Sequence, residues 1–381
     1  MKIGVDASRL RPGMTGIGRY TLHLLDALCK EMPEDEFVVF SRADEVVLGP
    51  AFHGRVVRDS RPISRRMPLA WWLRYRLGPR VSAEKVDVLW AANTLLPARL
   101  GGVPCVSTVY DLNHVLYPQT MPRLTRQAHR SWFARDVLAA TRVAAISQGT
   151  SERLRGWIGR GGDAVVRPGL GLQDTALPEA SRQVEILRGL GLSSPFLMTV
   201  GTVEPRKNLG AAVQAVRALK EQGHLRDHRL LVVGARGWGR HAGPIAAGTE
   251  PSWLRPVGYV GDETLAALYA RAEALLFPSL YEGFGIPIAE AVAAGCRVVA
   301  SDTPEMREAG EGGSVVYAEP DAERFAAAIL DALSAPRPLR PGTCARGNWA
   351  HSAKVMAQLL RDARRAGQLD TGHARPAGAR E

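Results

Sequence analysis

Short apolar runs of strand character alternate with longer amphipathic stretches along this chain, and the alternation starts over near its middle. That rhythm admits parallel sheets covered on both faces by helices and little else. In the first half the strand candidates are Lys2–Asp6, Phe37–Phe40, Val86–Trp90, Cys105–Tyr110 and Val143–Ile146. Leu22, Leu25 and Leu28 share one face of a first helix over Thr21 to Leu28, and a further helix is expected over Trp132–Ala139. The half closes around Val165 to Gly169, and the polar segment Gln173 to Arg182 reads as linker. The second half restarts with Phe196 to Gly201 and continues through strands at Leu230–Val233, Val257–Val260, Ala274–Phe277 and Arg297–Ala300. Its helices are expected over Leu209–Leu219, Leu265–Ala270, the stretch after Pro287 and Ala322–Leu333. The predicted division is a first doubly wound α/β domain over 1–170 and a second over 171–348. A terminal helix over 349–366 then packs back on the first domain, before a disordered glycine- and alanine-rich tail at 367–381.

With 381 residues the chain can bury two full cores. Cys29, Cys105, Cys296 and Cys344 lie far apart with neither a C-x-x-C pair nor metal-ligand spacing, as expected of reduced core thiols. Met1-Lys2-Ile3-Gly4-Val5 opens directly on a strand, so no signal segment is expected. No apolar run approaches the ~20 residues of a membrane span, so a cytoplasmic protein is expected, peripheral at most to the inner membrane face. Charge is lopsided: residues 1–170 hold 25 Lys+Arg against 15 Asp+Glu, whereas residues 171–381 hold 24 against 23. Eight arginines lie between Arg55 and Arg80, around Trp71-Trp72. Basic residues beside paired tryptophans suit an anionic inner-leaflet surface; a solvated face next to core tryptophans is the competing reading. No nucleic-acid motif accompanies the charge, and a nucleic-acid partner is not expected.

The chemistry concentrates in Pro278-Ser-Leu-Tyr-Glu-Gly-Phe-Gly-Ile-Pro-Ile-Ala-Glu290. An apolar strand precedes it, and Pro287 occupies a first-turn position of a helix whose apolar face carries Ile288, Ala291 and Val292. Glu282 therefore belongs to a glycine turn and Glu290 to the helix that follows. Backbone N–H groups at such a terminus favour phosphate, and a neighbouring carboxylate accepts hydrogen bonds from hydroxyls. Phosphate and hydroxyls on one ligand describe a nucleotide sugar. Arg206 and Lys207 follow the first strand of the second half and could hold a diphosphate, one as a fork and one as a point charge. An ordinary surface pair is the bland alternative. Gly16 and Gly18 lie between the first strand and first helix, in a G-x-x-G-x-G spacing that is not the dinucleotide fingerprint. In open parallel sheets ligands bind at the carboxyl ends of strands, so two such domains would meet at a shared cleft.

This combination resembles glycosyltransferase family 4, retaining enzymes of the GT-B fold with two facing Rossmann-like domains and an interdomain cleft. The resemblance runs from Gly16-Ile-Gly-Arg-Tyr20 to the Trp349 helix and is strongest over residues 257–320, with Glu204-Pro-Arg-Lys-Asn208 as its second landmark. It implies that Glu282 contacts donor-sugar hydroxyls, that Glu290 holds the ribose and that Arg206 and Lys207 neutralise the diphosphate. Gly16 and Gly18 would cap that diphosphate. Backbone at Gly283, Phe284, Gly285 and Ile286 would meet the sugar and distal phosphate, while Tyr259 and Val260 would lie beside the base. Many relatives carry a His-Asp pair near the reacting carbon; here Tyr110 precedes Asp111, leaving Asp111 alone or helped by His114 from the same loop. Thr202 stands where some relatives carry a further arginine. The chain has no D-x-D triplet, and catalysis without metal or other cofactor is expected. Among family members the motifs look most like bacterial O-antigen or capsule mannosyltransferases using GDP-mannose, with a saccharide or lipid-linked acceptor. Rhamnosyl or glucosyl transfer, a sugar-nucleotide epimerase of the same fold, a two-lobed sugar-binding protein and an NAD-dependent dehydrogenase are the rivals.

Overall fold

The computed structural model describes residues 1–14, 16–170, 177–193, 195–235, 251–338 and 348–373. They form two units, each built on one parallel sheet. Among the described residues the first unit takes Met1–Val115, Met121–Gly169 and the chain from Asn348 onward; Leu116–Thr120 joins the second unit with the chain from Leu170.

The sheet of the first unit contains β1 (Lys2–Asp6), β2 (Glu36–Ser41), β3 (Gly54–Arg58), β4 (Val88–Ala91), β5 (Cys105–Val109), β6 (Arg142–Ala145) and β7 (Ala164–Val165). They are ordered β3-β2-β1-β4-β5-β6-β7, and each pairing is parallel. The second sheet contains β8 (Phe196–Val200), β9 (Arg229–Val233), β10 (Leu254–Gly258), β11 (Ala274–Phe277), β12 (Val298–Ser301) and β13 (Val315–Ala318), ordered β10-β9-β8-β11-β12-β13. Strand direction of winding reverses between β1 and β4 in one unit and between β8 and β11 in the other. These reversals matter because the loops leaving adjacent strands then diverge, opening a crevice at the carboxyl edge.

The central strands are buried without alternation because helices cover both faces: β5 and β11 are buried at every position. The Gly16–Glu31 helix buries Leu24, Leu25 and Leu28, each contributing roughly 1.5–3 kcal/mol by removal from water. In the second unit the Leu209–Glu221 and Ala322–Ser334 helices close over Leu230, Leu276 and Val299, with Phe325 and Ile329 filling the layer. Edge strand β10 tolerates Pro256, which offers no N–H to a ladder and is confined to edges for that reason.

The terminal helix, Trp349–His373, belongs to the first unit. Trp349 lies edge-on to Tyr20 at 5.5 Å and stacked on His23 at 5.4 Å, and the Ser352 hydroxyl donates to the Arg167 carbonyl at 2.6 Å. The helix runs past the expected end at 366, so residues 367 to 373 are helical rather than a disordered tail. Gly367 lets the helix pack closely there: a Cβ would sit 2.9 Å from the Pro104 ring. Residues 374–381 of the expected tail lie outside the described residues, as does part of the expected linker, whose end instead begins the Ala180–Gly189 helix.

The arginine-rich stretch is organised from within. Buried Asp59 accepts from the Ser64 hydroxyl at 2.6 Å and the Trp72 indole at 3.0 Å, and forms an ion pair with Arg80 at 2.6 Å. Trp72 is consequently a core residue, whereas Trp71 is exposed beside Tyr75 and Trp132. Arg55, Arg65 and Arg74 pair with Glu84, Asp44 and Asp136. Trp72 thus lies in the core and Trp71 on the surface. Among the described residues no helix is long and apolar enough to cross a membrane.

Candidate active site

The carboxyl-edge crevice of the second unit brings together residues that are seventy-six positions apart in the chain. The loop after β8 forms a turn over Pro205–Lys207, and the loop after β11 carries Tyr281 and Glu282. Their backbones are joined where Leu280 N donates to the Arg206 carbonyl at 2.8 Å. Arg206 Nη1 donates to the Tyr281 carbonyl at 2.7 Å and to Glu282 Oε2 at 2.5 Å, and Lys207 Nζ donates to Glu282 Oε1 at 2.6 Å. Arg206 Nη2 is held by Glu204 at 2.7 Å, a role for Glu204 that the motif alone did not suggest. Burial by itself would raise the Glu282 carboxyl, but the charges of Arg206 and Lys207 and their hydrogen bonds outweigh it and hold the group down at about 2. The result is an ionised, acceptor-only carboxylate clasped by two cations. Lys207 also lies 5.0 Å over the Phe277 ring and lines a pocket with Gly201, Thr202 and Ser279.

The remaining residues expected to meet a donor flank this cluster. Gly283 and Phe284 continue the turn, and Gly285, at φ +107°, adopts the left-handed conformation that starts the Ile286–Ala293 helix. A side chain at 285 would be strained there, which is why the turn needs glycine. Glu290, buried on that helix, accepts from the Tyr269 hydroxyl at 3.1 Å. Tyr259 and Val260 come just after β10, with Tyr259 largely exposed.

The first unit assembles its own cluster at the ends of β1, β4 and β5. Asp111 follows β5 and accepts from Asn113 N at 3.0 Å. Tyr110 points into the core: its hydroxyl donates to the Ala92 carbonyl at 2.8 Å, its ring meets Tyr20 edge-on at 5.3 Å, and burial pushes its pKa upward. It anchors the loop and does not stand in chemically for a histidine. His114 is buried against Phe133 at 4.2 Å, with Trp157 and His129 at 5.2 and 5.4 Å. Among the described residues both its ring nitrogens lack a hydrogen-bond partner, and burial, with a smaller contribution from His129, lowers its pKa to about 3. Such a ring is neutral and packed, poorly suited to take a proton. His129, on the Arg123–Ala139 helix, is the residue sequence reading missed: it feels the charge of Asp111, although burial dominates and lowers its pKa. Nothing in local spacing announces it, since it reaches the Asp111 loop from a different element. Gly16 and Gly18 fall within the first turn of their helix and not in a free loop. A Cβ at Gly18 would lie 2.8 Å from the Arg9 carbonyl, whereas at Gly16 it would meet open space.

Comparison with known proteins agrees with this architecture. Residues 14–169 match the model described as Glycosyltransferase Family 4, and residues 194–335 match that described as Glycosyl transferases group 1. The chain is 29% identical over 352 residues to the O-antigen chain mannosyltransferase B of Escherichia coli, covering 87% of this chain and 91% of that protein. Among solved structures, the sucrose-phosphate synthase of Thermosynechococcus elongatus superposes with a TM-score of 0.65 at 20% identity, covering 97% of this chain and 98% of the other. The Anabaena protein HepE, solved with UDP and glucose, does so with a TM-score of 0.61 at 17% identity over 98% of both chains. With a matching family model on each unit and the GT-B fold in common with these structures, the chain belongs to the family 4 and group 1 glycosyltransferases and is a glycosyltransferase.

Proposed function

We propose that the enzyme moves mannose from GDP-mannose, with retention of anomeric configuration, to a hydroxyl of a lipid-linked saccharide in cell-surface polysaccharide synthesis. The observation that carries the donor assignment is the Glu282 carboxylate clasped by Arg206 and Lys207 at the β8/β11 reversal. The mannosyl assignment draws on the likeness to the E. coli mannosyltransferase. That HepE was solved with UDP and glucose supports a nucleotide-sugar donor on this fold.

As the sugar–phosphate bond breaks, negative charge collects on the leaving diphosphate, and Arg206 and Lys207 supply preorganised positive charge for it. Glu282, kept ionised, has lone pairs left to accept from sugar hydroxyls. The departing phosphate oxygen takes the acceptor proton on the face where the bond broke, and Asp111 is assigned the orientation of the acceptor hydroxyl. Because two side-chain cations meet the diphosphate, catalysis is proposed to need no metal. Exposed Arg61 and Arg66 with Trp71 are proposed to meet an anionic inner-leaflet surface.

Incubation with GDP-mannose, dTDP-rhamnose and UDP-glucose, with and without saccharide acceptors and with chelator, tests each part. Mannosyl product that forms unchanged in EDTA, with the anomeric configuration retained by NMR, is expected. Preferred turnover of another donor would replace the sugar assignment. Donor interconversion with no acceptor would establish an epimerase instead.

A further inference from the structure

The β1/β4 reversal of the first unit holds a polar assembly that the donor chemistry does not use. Asp6, at the end of β1, is fully buried and accepts from the Ser8 hydroxyl at 2.7 Å and from Asn93 Nδ2 at 2.6 Å. Asn93, at the end of β4, in turn accepts from Arg9 Nε at 3.1 Å through its Oδ1. The chain Asp6–Asn93–Arg9 therefore fixes one edge of the guanidinium and leaves its two Nη groups without a protein partner among the described residues. The anchoring is costly. Thr94 is held at φ +67°, a conformation a β-branched residue rarely adopts, by its hydroxyl bond to the Thr108 carbonyl at 2.6 Å and by Ser107 donating to its own carbonyl at 2.9 Å. Strain of this kind persists where surrounding structure over-determines a residue, and it gathers at ligand sites.

Two more arginines act on Arg9 or on each other through their charge, although Arg42 Nη1 is itself taken up by the Ser64 and Met67 carbonyls. The loop after β1 is bonded to the loop after β2, where Val47 N donates to the Leu10 carbonyl at 3.2 Å. Those loops carry Arg11 and Arg42, and Arg42 is itself steered by donating to the Ser64 carbonyl at 2.9 Å. Burial lowers the pKa of Arg9 and of Arg42, and the charge of Arg11 weighs on both. Asp6 is the carboxylate whose charge opposes them, while burial raises its own pKa and its hydrogen bonds from Ser8 and Asn93 act the other way. A surplus of partly desolvated guanidinium charge, with an oriented fork among it, is unfavourable until an anion completes it.

We propose that Arg9, positioned through Asn93 by Asp6 and supported by Arg11 and Arg42, is an anion subsite that binds the phosphate of a phosphate-bearing acceptor. The acceptor part rests on the transferase reading above; the anion site does not. Isothermal titration of the full chain with inorganic pyrophosphate, at low ionic strength, separates the two. The parent protein is expected to show two classes of site. Arg9→Gln should lose one of them by roughly 10- to 100-fold, with affinity for GDP and UDP within about twofold of the parent. Lys207→Ala should lose the other class. Arg9→Lys, which keeps the charge without the fork, should recover only part of the loss, and circular dichroism melting checks that each variant is folded. A glycosyl monophosphate and a short-chain prenyl diphosphate saccharide are then competed against pyrophosphate. Displacement by both assigns the site to phosphate itself, and displacement by the lipid compound alone assigns it to the lipid-linked diphosphate. Pyrophosphate binding in Arg9→Gln identical to the parent, or a parallel fall in nucleotide affinity, would overturn the subsite. Retained pyrophosphate loss with no transfer to any phosphorylated acceptor would instead remove the acceptor role.

Discussion

Glu282 shows how far a residue's role depends on what surrounds it. On the sequence it is an acid in a glycine turn; in the fold each of its oxygens receives a cation from another loop. Glu282→Gln is expected to lower kcat/KM for transfer by at least ~100-fold, because the carboxylate that orients Arg206 and Lys207 and accepts from the sugar hydroxyls is lost. Steady-state kinetics check this, and turnover within about tenfold of the parent would remove Glu282 from the site. The same substitution has a pH signature. A depressed carboxyl contributes stability that is present in full above its ordinary value of 4.5 and lost as pH falls toward about 2. On the order of 3 kcal/mol should therefore disappear from the parent across that window and be missing from Glu282→Gln at every pH, as urea titrations at pH 7, 4 and 2.5 would show. Lys207→Ala should weaken nucleotide binding by about tenfold by calorimetry, with the fold retained. Unaltered affinity would take Lys207 out of the phosphate site. His114 makes the converse case. Its place on the Asp111 loop suggested chemistry, yet packing against Phe133 leaves it neutral and enclosed.

Among the elements, those with strong apolar patterns were readable and those on edges were not. β1 spans the residues expected of it, and β11 likewise, since the interior of a strand with both faces covered is apolar and polar residues enter β1 only at its two ends. β3 and β7 escaped notice because one is half exposed and interrupted by Arg55 and Arg58, and the other is two residues long. The Gly16–Glu31 helix starts five residues before the expected Thr21, because Gly16 and Gly18 weaken the helical signal while tertiary contact supplies the stability. This yields a paired test. Helix propensity favours alanine over glycine by about 1 kcal/mol, but a Cβ at 18 meets the backbone oxygen of Arg9 and cannot be accommodated by a rotamer change. Gly18→Ala should destabilise by about 1–3 kcal/mol in denaturant titration, whereas Gly16→Ala, facing open space, should change stability by less than about 1 kcal/mol. Equal effects would mean that the two glycines serve the same purpose.

For the molecule as a whole, the excess of positive charge resides in its first half, but the structure neutralises much of the densest stretch internally through Asp59, Glu84, Asp44 and Asp136. Of that stretch, Arg58, Arg61 and Arg66 stay exposed, as does the ring of Trp71, with Trp72 in the core. Reversing Arg61 and Arg66 to glutamate should lower binding to vesicles rich in phosphatidylglycerol by about tenfold or more, given ~1 kcal/mol for each basic residue near an anionic surface. Cosedimentation that ignores anionic lipid content, or is unchanged in the double variant, would discard the membrane partner.

Taken alone, the order of apolar runs settles that the chain makes two parallel α/β units, since period and burial pattern are local properties that survive without knowledge of partners. The glycine turn, its two glutamates and the Arg206-Lys207 pair are likewise legible, because each sits at a strand end and strand ends are visible in the chain. Which loops become neighbours is decided only by strand order. β8 pairs with β11 although seventy-three residues separate their ends from their starts, and that pairing alone joins Arg206 to Glu282. The β1/β4 pairing does the same for Arg9 and Asn93, and helix packing brings His129 to Asp111. Contacts of this kind depend on long-range burial of whole strands and helices, which no local pattern encodes.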